Sequence, residues 1–135
     1  MSGFSLMELI IVIVIISLLA SLSMGEYQSF IRKSRRSDAQ TSLLDYHARL
    51  QRCYLGTYNY TLCIEEFGLD KPLLSFSHFY LVQAIENTDN KYRLQATAIG
   101  EQEKDTTCYR FTINSLQQTQ AYSKDNHETL NCWGK

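Results

Sequence analysis

Apolar residues fall into three regimes along the chain. From Phe4 to Met24 they run almost unbroken: one charged side chain, Glu8, interrupts them, and Leu9 to Ile16 is wholly aliphatic. Such a run fits a single crossing of a hydrocarbon layer about 30 Å thick. No later run approaches that length, so the chain crosses a membrane once at most. In the second regime Tyr27, Phe30, Ile31, Ala39, Leu43, Tyr46, Leu50 and Tyr54 recur in steps built from three and four residues, the signature of one helix with an apolar stripe. At 1.5 Å per residue a helix from Phe4 to about Leu55 reaches roughly 75 Å, too long to be packed throughout against a body of this size.

The third regime is strand-like. Gly56 and the Asn59/Thr61 region break the helical pattern, and a loop through Phe67 and Pro72 follows. Phe79 to Ile85, Tyr92 to Ile99 and Cys108 to Ile113 are rich in aromatic or β-branched residues with partial alternation, separated by turns at Asn87 to Asn90 and Gly100 to Thr107. A short last strand is expected around Gln120 to Ser123. The pattern predicts an α+β fold: a long N-terminal helix, membrane-spanning in its front half, whose back half packs on a three- to four-stranded antiparallel sheet.

Composition narrows the function. Thirteen Lys and Arg against fourteen Asp and Glu give a net charge of −1, which excludes affinity resting on a global positive field. The cluster Arg32, Lys33, Arg35, Arg36 reads as a solvated or headgroup-facing collar. Four cysteines allow three pairings. In a small domain on an oxidising side of the membrane an even count would read as two disulfides, and the expected pairs are Cys53 with Cys63, clamping the loop after the helix, and Cys108 with Cys132, tying the C-terminal segment to a strand. A zinc site is the rival, but there is no CxxC and His47, His78 and His127 are scattered. No nucleophile elbow or phosphate loop is present, so no catalytic residue, metal or cofactor is expected. Asn59-Tyr60-Thr61 forms a glycosylation sequon, expected to be unused.

Glu8 demands a reason, since a lone acid in lipid costs about 2.5 kcal/mol or more. An ordinary cleavable signal would begin with basic residues, and Met1-Ser2-Gly3 carry none. Gly3-Phe4-Ser5-Leu6-Met7-Glu8-Leu9 followed by the Ile/Val run closely resembles the class III signal of type IV pilins and type II secretion pseudopilins. The resemblance implies cleavage by a prepilin peptidase between Gly3 and Phe4, N-methylation of Phe4, and a role for Glu8 in subunit assembly. Physically, the freed Phe4 amine supplies the cation that a buried Glu8 needs, and methylation keeps its charge. The family usually has a Gly within this helix and a Pro near its end, where this chain has Ser17 and Gly25. Cys132-Trp133 and Arg35 to Ala39 resemble small PilE-type minor pilins.

The resemblance divides the chain into a leader (1–3), a transmembrane and polymerisation helix (4–25), an amphipathic continuation (26–55) and a globular head (56–135). It implies an inner-membrane subunit with a periplasmic head, later part of an extracellular pilus. Implied partners are other pilin subunits, the prepilin peptidase and the inner-membrane assembly platform. The positive-inside rule alone would put Arg32 to Arg36 in the cytoplasm; pilin processing requires the reverse, and the cysteines suit the oxidising side. Two disulfides and the Cys-Trp end favour a minor pilin over a pseudopilin. A third reading is a ComP-like receptor for DNA uptake. Residues 45–135 carry nine Lys or Arg against eleven Asp or Glu, which argues against a strong phosphate-binding head, and Lys91, Arg93, Arg110 and Lys124 form the basic patch that keeps the reading open.

Overall fold

One helix, α1 (Leu6–Thr57), takes up more than a third of the chain in this computed structural model, which describes residues 5–134, with 22–24 described by their backbone alone. The expected leader, its cleavage point at Gly3 and the methylation site Phe4 lie outside the described residues. Contacts divide the chain into two units, Met1–Lys33 and Ser34–Lys135. Within the first, every large apolar side chain from Leu6 to Leu19 is 46–75% exposed.

The second unit holds the core. Here α1 buries Ala39, Leu43 and Leu50 at steps of four and seven, with Tyr46, Cys53 and Tyr54 partly buried alongside. The helix ends where the Tyr58 amide donates to the Tyr54 carbonyl (2.8 Å), with Tyr58 itself in the left-handed region at φ +53°. Asn59 then starts a second helix, α2 (Tyr60–Glu66), its side-chain oxygen accepting from the Leu62 amide at 3.2 Å. The sequence pattern shows only a break here, because seven residues are too few to display a period. Gly68, at φ +68°, closes α2 and lets the Leu69 amide return to the Ile64 carbonyl (2.9 Å).

Five antiparallel strands follow in simple meander order: β1 (Leu73–Leu74), β2 (Tyr80–Thr88), β3 (Lys91–Ala98), β4 (Arg110–Asn114) and β5 (Thr119–Tyr122). The sheet is one strand wider than the sequence pattern indicates, since β1 has two residues and cannot alternate. Register is set by the buried faces: Leu94 stands opposite Ile113, Ala96 opposite Phe111, and Phe111 opposite Ala121. In β3 the alternation is complete, with Tyr92, Leu94, Ala96 and Ala98 inward and Arg93, Gln95 and Thr97 outward. At the last edge the Thr129 amide and the Trp133 indole donate to the Ala121 and Gln120 carbonyls (both 2.8 Å), which covers β5.

Candidate functional site

Two features of the sequence carry chemistry: the apolar stretch with its acid, and the decorated head. The stretch forms uninterrupted helix from Leu6, with Glu8 in the first turn, where the helix dipole favours a negative side chain. The amides of Glu8 and Leu9 donate to the Ser5 carbonyl at 3.0 and 3.2 Å. Two of the serines in the run turn back on the helix, Ser17 Oγ donating to the Ile13 carbonyl (2.7 Å) and Ser21 Oγ to the Leu18 carbonyl (2.8 Å). The helix is long and apolar enough to cross a membrane. A face that is apolar all round is stable only against lipid or other apolar helices.

In the head, Cys53 is joined to Cys63 with Cα atoms 5.9 Å apart, and Cys108 to Cys132 at 5.8 Å. The first link fastens α2 to the end of α1. The second fastens the segment before β4 to the C-terminal turn. Among the described residues no three His, Cys, Asp or Glu side chains converge as a metal site would require.

The basic cluster is not a uniform collar. Arg36 turns into the head and clamps Asp105 through two bonds, Nε to Oδ2 at 2.6 Å and Nη2 to Oδ1 at 2.9 Å. Arg35 lies over the Phe79 ring, 4.3 Å from its centre. A neighbouring acid, Asp38, organises the loop before β2: it accepts from Ser75 Oγ (2.5 Å), the Ser77 amide (2.9 Å) and the Phe79 amide (3.3 Å). Arg36 and Asp38 thus serve the head's own architecture, which composition could not distinguish from solvation.

The basic patch is only partly assembled. Arg93 and Arg110 line one depression of about 260 Å³ with Gln95, Thr112, Tyr122 and Asn126. Arg93 meets Glu86 (3.2 Å) and donates to Gln120 (3.2 Å); Arg110 donates to Asn126 and lies over the Tyr122 ring. Lys124 lies elsewhere, over Tyr109 and 3.8 Å from Glu103, and Lys91 sits at the β2–β3 turn. Sequence reasoning missed the polar chain inside the core, where Tyr92 Oη lies 2.7 Å from His47 Nδ1 and Tyr60 Oη donates to Gln51 Oε1 at 3.0 Å. Burial lowers the His47 pKa and raises those of Tyr60 and Tyr92. His47 occupies a position on the apolar stripe of α1, and that placement was the available signal.

Known proteins resemble this arrangement. The sequence pattern of the family described as "Type IV minor pilin ComP, DNA uptake sequence receptor" matches residues 25–112. The solved structure of the non-core minor pilin PilV of Neisseria meningitidis superposes with a TM-score of 0.56 at 20% identity, covering 73% of this chain and 94% of that one, a likeness of fold. No curated protein sequence matches the chain. With the family pattern spanning the back half of α1, α2 and most of the sheet, the chain belongs to the ComP family of type IV minor pilins.

Proposed function

We propose that the chain is held in the inner membrane by the front of α1 with its head in the periplasm, is cut by the prepilin peptidase between Gly3 and Phe4, and is methylated at Phe4. The assembly platform then passes it into the pilus, where it lies among other pilin subunits and Glu8 pairs with the Phe4 amine. The role is structural and not catalytic. One observation carries this reading: Leu6 to Leu19 expose apolar side chains on every side of a continuous helix, and only lipid and then neighbouring helices can cover them. Deleting the gene and scoring surface pili, protein secretion and transformation in parallel tests it. Loss of secretion with normal pili would assign the chain to the secretion apparatus instead.

The family description favours a second reading, a receptor for DNA displayed on the pilus. Arg93 and Arg110 share a depression with Gln95 and Asn126, side chains able to meet phosphates and base edges. Against it stand the acids paired to the same surface and the negative head. Titrating the full chain in detergent with duplex DNA at physiological salt decides. Sequence-dependent binding tighter than about 10⁻⁶ M establishes the receptor; uniform, weaker binding removes it.

A further inference from the structure

The core of the head contains a hydrogen-bonded chain whose direction is fixed. Gln51, on α1, has its amide orientation set from both ends: Nε2 donates to the Ser115 carbonyl (2.9 Å), and Oε1 accepts from Tyr60 Oη (3.0 Å). The same Nε2 faces Tyr92 Oη at 3.4 Å, so the Tyr92 oxygen receives from Gln51 and its single proton points to His47 Nδ1, 2.7 Å away. With the Tyr92 proton given to Nδ1, the neutral His47 ring carries its own proton on Nε2, the form that burial favours. This one network joins α1 to α2 through Tyr60, to β3 through Tyr92 and to the β4–β5 turn through Ser115.

We propose that this network is an acid-sensitive latch: a proton taken up at His47 Nδ1 reverses the bond to Tyr92 and loosens α2 and the β4–β5 turn from α1. With Nδ1 carrying hydrogen, the imidazolium must donate to Tyr92 Oη, and the Tyr92 hydroxyl proton loses its acceptor in a buried setting. An unmatched buried donor costs more than one ordinary bond contributes.

Burial holds the protons of Tyr60 and Tyr92 on their oxygens beyond neutral pH. On α1 the charged residues two places either side of His47, Asp45 and Arg49, pair with each other at 2.7 Å, and Arg52 follows Gln51. On β3, Lys91 and Arg93 flank Tyr92 but belong to the alternate, outward set. From α2 and the β4–β5 turn the groups that reach the network are a phenol and a carbonyl. His47 is 9% exposed, and burial lowers its pKa, so the native head resists protonation that the unfolded chain accepts. The latch therefore contributes fully above the unfolded value near 6.5 and is lost as pH falls below it.

Hydrogen exchange of the full chain in detergent micelles, read by mass spectrometry at pH 7.5 and 5.5 and corrected for intrinsic rates, tests the latch. Protection in residues 60–66 and 115–117 should fall by roughly three- to tenfold at the lower pH in the wild-type chain. His47→Gln, whose amide oxygen accepts from Tyr92 at any pH, should abolish the fall. An equal fall in His47→Gln, or none in the wild type, overturns the proposal. If His47→Gln does not fold, the His47 ring is followed by NMR in the wild type: its titration must share a midpoint with the loss of protection, and separate midpoints overturn the proposal.

Discussion

Arg36 and Asp105 stand 69 residues apart in sequence and form a two-pronged ion pair that is almost closed to water, with the side chains 18% and 4% exposed. The carboxylate has further duties, accepting from the Cys108 amide (3.3 Å) and from Gln102 Nε2 (3.4 Å). The pair ties α1 to the segment that carries the second disulfide. Removing one member leaves the other charge buried without compensation, at a cost of about 3 kcal/mol or more. Arg36→Met should lower the stability of the head by about that amount, and Asp105→Ala by more, because the Cys108 amide also loses its acceptor and Gln102 Nε2 is left with Tyr80 Oη. Urea titrations of the full chain in micelles measure both. A change under about 0.5 kcal/mol for Arg36→Met would return Arg36 to the ordinary surface pairs.

Asp38 acts as a side-chain cap for the loop from Ser75 to Phe79, gathering one hydroxyl and two amides onto one buried carboxylate. Asp38→Ala orphans all three donors and should destabilise the head by about 2 to 3 kcal/mol. Asp38→Asn keeps one acceptor oxygen and should cost less. The readout is the unfolding midpoint together with proteolytic nicking in 75–79. Equal effects of the two substitutions would mean that shape, not acceptance, is what the loop needs.

The long helix and β3 could be read in advance because each repeats its period often enough to be seen, α1 through Ala39, Leu43 and Leu50 and β3 through Tyr92, Leu94, Ala96 and Ala98; β2, β4 and β5 showed through their aromatic and β-branched content and the turns between them. What escaped was short or non-local. β1 has two residues and α2 seven, and the cap at Asn59 was legible only as part of a break. The fates of Arg35 and Arg36 depended on Phe79 and Asp105, partners that charge counting along the chain cannot supply. The outward basic residues illustrate the same limit. Arg93 and Arg110 converge because β3 and β4 pair, whereas Lys124 follows the chain away.

Both disulfides close loops within the head, Cys53 to Cys63 over 10 residues and Cys108 to Cys132 over 24. By restricting the unfolded chain each contributes roughly 3 kcal/mol. Non-reducing peptide mapping of the purified full chain should recover these two linkages and no others. Cys53→Ser with Cys63→Ser should loosen α2 without releasing it and leave the sheet folded, since Tyr60 and Ile64 stay buried in the core and the Tyr60 amide still donates to the Asp89 carbonyl (2.9 Å). A peptide joining Cys63 to Cys108 would reject the arrangement.

Glu8 is the one acid in the apolar stretch, and its neighbours on α1 are aliphatic and exposed. In a fibre those neighbours would be covered by other helices, and a carboxylate taken into such surroundings needs a cation close by. Cleavage after Gly3 would create one at the Phe4 amine. Glu8→Gln keeps the size and removes the charge, so insertion, leader removal and disulfide formation should proceed while incorporation into pili falls steeply. The loss should appear at assembly, because Glu8 belongs to the first unit of the chain and the head is the second. Sheared pili probed for the subunit, at matched membrane levels of the two proteins, give the measurement. Incorporation equal to wild type would show that the acid reaches water in the fibre, and the charge-pairing mechanism would then be withdrawn.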